Sequence, residues 1–85
     1  MNSNETKAEL NNNLTHVVAL KGIVSDSLLS LTAGELIVDY YINYLKNRED
    51  QVCRQLIVDK TNLILQEYNI QPLSYSFFRK FNFKQ

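Results

Sequence analysis

The side chains able to act as nucleophile or base are a single histidine and a single cysteine, His16 and Cys53. They can meet only through tertiary folding, and nothing in their flanks orients either one. His16 precedes Val17 and Val18 and reads as a flank residue of a helix rather than a general base. Cys53 has no second cysteine to bond, so it reads as a small buried hydrophobe and fits a reducing compartment. The carboxylates Glu49 and Asp50 are adjacent, and adjacent residues on a helix point in different directions, which describes a solvated charged turn rather than an acid–base pair. Two glycines in all leave no glycine-rich phosphate loop or dinucleotide fingerprint, and one His with one Cys cannot fill a zinc quartet. No catalytic residue, metal or cofactor is therefore expected, and the chain reads as non-enzymatic.

Recognition chemistry is better represented. Tyr40, Tyr41 and Tyr44 cluster on one helical turn, and tyrosine offers a large contact area with a hydroxyl that tolerates water. These rings either cover a small core or form an interface. All four phenylalanines, Phe77, Phe78, Phe81 and Phe83, fall in the final stretch SYSFFRKFNFKQ beside Arg79, Lys80 and Lys84. Up to Pro72 the chain carries six basic and nine acidic residues, net −3, and beyond it three basic and none acidic, net +3. The tail 73–85 is thus opposite in charge to the helical body 1–72. Folded back, it completes the core, each buried ring contributing about 1.5–3 kcal/mol. Exposed, it docks on a partner protein, rings in pockets and Arg79 on a carboxylate, or stacks on single-stranded bases with its cations on phosphates. Three cations are few for phosphate neutralisation and, without an acylation signal, few for holding a membrane surface.

The elements that position these residues read as helices, because two glycines and one proline leave few corners. Leu10, Leu14, Val17, Val24, Leu28 and Leu31 fall at helical spacing interrupted by Lys21, which would snorkel along the stripe. They predict a first helix over Thr6–Ser30, opened by a Thr6/Glu9 capping box or only after Asn13. Thr32 and Glu35 repeat the capping-box spacing, with Leu31 and Leu36 at staple positions, and predict a second helix from Ala33 to Lys46. Its apolar pairs, Leu36-Ile37, Tyr40-Tyr41 and Tyr44-Leu45, form a stripe wide enough to meet more than one neighbour. The polar window Lys46 to Gln51 reads as a break, since one helix from Ala33 to Tyr68 would run ~54 Å. A third helix over Asp50–Tyr68 then carries Val52, Leu56, Ile57, Leu63 and Ile64, with Asn69 as a left-handed cap and Pro72 as the stop. The competing reading makes Leu56–Val58 and Leu63–Leu65 two strands of a hairpin over 56–65, which gives a winged-helix-like α+β domain.

The expected fold is all-α: a small bundle of about three helices with an aromatic and basic C-terminal tail, the first 5 to 12 residues being soft. Eighty-five residues make one domain that buries only about 60–65% of its unfolded surface, so partner surface is expected to contribute to its stability. The opening MNSNETKAEL shows no secretory signal, and the longest unbroken apolar run, Val17–Leu20, is far short of the ~20 residues that span a bilayer. A soluble, cytoplasmic protein is expected, and the sequons at Asn4 and Asn13 are then chance matches. The functional expectation is a small regulatory or adaptor protein that binds another protein, acting as a homodimer. Its expected contact residues are Tyr40, Tyr41, Tyr44, Phe77, Phe78, Arg79, Lys80, Phe81, Phe83 and Lys84. The alternative is a nucleic-acid-binding regulator.

Overall fold

A computed structural model of the chain describes residues 6–47 and 54–81. Among them the chain forms four helices and no strand: α1 (Lys7–Val18), α2 (Asp26–Asn47), α3 (Arg54–Glu67) and a single turn, α4 (Tyr75–Phe78). The fold is the expected small all-α bundle. The hairpin over 56–65 is corrected: that stretch lies wholly within α3. Its buried residues, Ile57, Val58, Thr61, Ile64 and Leu65, recur at the helical period, whereas a strand would bury alternate positions.

α1 opens where the first capping box predicts. The Thr6 hydroxyl accepts from the Glu9 amide at 3.1 Å and the Glu9 carboxylate accepts from the Thr6 amide at 2.9 Å, so two otherwise unpaired donors are satisfied reciprocally. Leu10, Leu14 and Val17 are its buried face.

The next boundary falls earlier than the sequence predicts. The first helix ends at Val18 rather than Ser30, and residues 19–25 turn the chain into α2. Gly22 drives the turn, with a φ of 87° that side chains rarely tolerate. Around it the amides of Leu20, Lys21 and Ile23 each donate to the carbonyl three residues back. Ser25 then caps α2, its hydroxyl accepting from the Leu28 amide at 3.1 Å. The expected cap at Thr32 is corrected, because Thr32 and Glu35 lie inside α2. Its buried stripe of Leu29, Ala33, Ile37 and Tyr40 runs straight through them, and amides this far inside the helix donate to the carbonyls four residues back, which leaves nothing for a cap to satisfy.

α3 ends in a Schellman motif. Asn69 takes a φ of 58°, Ile70 donates to the Leu65 carbonyl at 2.8 Å and Asn69 donates to Gln66 at 3.0 Å. Lys21, predicted to snorkel, instead leaves the first helix and donates from Nζ to the Asn69 carbonyl at 2.7 Å. The predicted start of the third helix at Asp50, and the break before it, fall on residues 48–53, outside the described residues.

Beyond Asn69 the chain runs without regular structure to Ser74, pinned by side chains. Buried Ser30 donates to the Gln71 carbonyl at 2.7 Å. Asn62 both accepts from the Leu73 amide at 2.9 Å and donates to the Leu73 carbonyl at 3.2 Å, as a neighbouring strand would. α4 follows, packed on α3, and its Phe77 ring reaches over Gly34 of α2. A Cβ there would run into Leu73 Cδ1 and come within 3.2 Å of the Phe77 ring, so the glycine serves close approach.

The core has two lobes. One gathers Leu10, Leu14 and Val17 of α1 with Leu29, Ala33, Ile37 and Tyr40 of α2, Ile64 and Leu65 of α3, and Ile70. The other gathers Val38, Ile57 and Val58 around Phe77 and Phe78. Tyr41 and Leu73 pack against both.

Candidate functional site

α2 presents its tyrosines along successive turns. Tyr40 and Tyr44, one turn apart, stack with ring centroids 5.9 Å apart and planes 18° from parallel. Tyr41 meets Tyr40 edge-on at 5.1 Å and 76°, the arrangement ring quadrupoles favour. Burial falls along this ladder: Tyr40 belongs to the first lobe, Tyr41 is half-buried and Tyr44 is 42% exposed. Burial pushes the Tyr41 phenol above its usual value of 10, helped by Tyr40, Glu67 and Tyr44.

The three rings form one wall of a cleft of about 270 Å³. Leu56 and Ile57 of α3 form the opposite wall, Leu56 being 41% exposed, and Lys60 stands one turn beyond Leu56. Lys7, the first residue of α1, completes the lining. Among the described residues no carboxylate lines the cleft, although the field of Glu67 reaches Tyr41 from the end of α3. Aromatic walls, an apolar floor and two cations from different helices give this cleft the capacity to hold a partly apolar anion. Two other openings, about 700 and 310 Å³, flank the 70–74 segment; their linings mix amides and hydroxyls with apolar side chains, the larger one includes Asp59, and neither has a lysine or arginine.

The tail residues lie elsewhere. Phe77 and Phe78 are buried, edge-on at 5.1 Å and 89°, and Phe81 lies half-buried 5.3 Å from Phe77. Lys80 meets the Glu35 carboxylate at 2.6 Å and hangs over the Phe77 ring at 4.7 Å, so the predicted charge attraction between tail and body operates within this chain. Both partners are half-exposed, which limits the pair to about 1 kcal/mol or less. Asp39, one turn beyond Glu35, has its carboxyl raised above the usual 3.8 by burial and then by Glu35, with Lys80 acting the other way. Arg79 is exposed, and Phe83 and Lys84 lie outside the described residues. No described tail residue lines the tyrosine cleft.

The sequence reading brings the three tyrosines together and does not single out Lys7, Leu56 or Lys60. A signal existed on α3, where Leu56 and Lys60 share a face beside the buried stripe at helical spacing. Nothing local tied Lys7 to Tyr44. Of the two residues suited to nucleophile or base chemistry, His16 is exposed on the last turn of α1 and Cys53 lies outside the described residues. Among the described residues, no helix is long and apolar enough to cross a membrane. No protein-family model, curated protein or solved structure matches this chain, so its own residues carry the functional reading.

Proposed function

We propose that the protein is a non-catalytic binding module whose contact surface for another protein is the tyrosine cleft. The observation that carries this reading is the graded ladder from buried Tyr40 to exposed Tyr44, facing the exposed Leu56 across an open cleft. Rigid aromatic rings beside a pocket are the usual anchors of protein interfaces. Affinity capture with the full chain, compared with Tyr44→Ala and Leu56→Ala, tests it. Both variants should lose the captured protein while keeping the helical circular dichroism and melting temperature of the parent. Capture that survives both substitutions overturns the reading.

Self-association, the homodimer reading, is favoured by a different observation. Leu20 and Ile23 at the first turn and Leu28 and Leu31 on the opening turns of α2 are all exposed, Ile23 to 77%. Light scattering after size exclusion should return a dimer for the parent at micromolar concentration and a monomer for Ile23→Asp. A monomeric parent removes this second reading and leaves the first in place.

A further inference from the structure

We propose that the segment seated in the tyrosine cleft is a short acidic stretch of the partner protein, with one apolar side chain held between carboxylates; this rests on the cleft being the contact surface. The charge pattern selects that chemistry. Lys7 and Lys60 reach the cleft from different helices, and among its described lining residues no acid neutralises them. Two exposed lysines lining one cleft with aromatic and aliphatic side chains match carboxylates flanking an apolar side chain, which meets the apolar lining while the carboxylates meet the lysines.

Size points the same way. At about 270 Å³ the cleft is just below the ~300–1,000 Å³ usual for small-molecule pockets and suits an inserted side chain better than a whole metabolite. A nucleic acid fits the rings and the cations, but the body up to Pro72 carries net −3, which repels a polyanion extending beyond the cleft. A segment of a few residues stays within the local field of the two lysines.

The test is a titration of the full chain, followed by amide chemical shifts. The probe is an acetylated, amidated pentapeptide with a central leucine flanked on each side by two glutamates. Its glutamine counterpart and a short oligothymidylate serve as comparisons. Expected are shifts confined to the start of α1, to 40–44 and to 56–60, with affinity falling as salt rises. The glutamine peptide and the Lys7→Gln/Lys60→Gln double variant should each bind about tenfold more weakly, and Lys7→Arg/Lys60→Arg should bind as the parent does. Both lysines are exposed, so the double variant should melt like the parent, and its melting curve is the control. Equal binding of the two peptides, shifts outside the cleft, no shifts at millimolar probe, or tighter binding of the oligothymidylate overturns the proposal. Loss of partner capture by Tyr44→Ala without peptide binding removes only the acidic preference, whereas retained capture removes the contact surface itself.

Discussion

At the residue scale, Thr61 and Asp39 each hold a polar group in a place that costs stability. Thr61 is fully buried on α3 and its hydroxyl has no hydrogen-bond partner among the described residues. Valine has the same shape without the hydroxyl, so Thr61→Val should raise stability by about 1 kcal/mol, read as a higher urea midpoint at unchanged slope. Asp39 titrates above the unfolded value of 3.8, so between that value and its folded one the native state holds more protons than the unfolded state. Stability then falls as pH rises through that window. Melting temperatures of parent and Asp39→Asn from about pH 3 to pH 7 should coincide at the acid end, and the variant should lead increasingly as pH climbs through the window. A lead that is constant with pH would show that the carboxyl's charge is not the cause.

At the element scale, each helix end that differs from expectation traces to a signal that tertiary structure reassigned. The Thr6/Glu9 box and the Asn69 cap were legible because each is complete within a few residues and stands where amides or carbonyls lack helical partners. Thr32 and Glu35 have the same spacing, but Leu29, Ala33 and Ile37 hold the helix through them and Glu35 turns outward to Lys80. Gly22, one of only two glycines, is the true corner. Gly34 is the reverse case, a glycine kept inside a helix. Alanine there would ordinarily gain about 1 kcal/mol of helix stability. Because its Cβ meets Leu73 and Phe77, Gly34→Ala should instead lose about 1–3 kcal/mol, seen as a lower melting temperature. A higher one would mean that the tail yields without cost.

At the scale of the whole molecule, the fold class was legible and the arrangement was not. Helical periodicity and scarce turn residues are local properties, and they sufficed for an all-α bundle. The convergence of Lys7 and Lys60 on the tyrosines depends on how three helices pack, which no spacing within one segment encodes. The same holds for the seating of Phe77 and Phe78 on Val38, Ile57 and Val58, where sequence left core and interface as equal readings. The notch at Gly34 joins two parts of the chain that are remote in sequence, the middle of α2 and the run from Leu73 to Phe77. If Gly34→Ala proves costly, the expectation for descendants of this sequence is that a bulkier residue at 34 comes with slimmer ones at 73 or 77, so that these positions drift as a set.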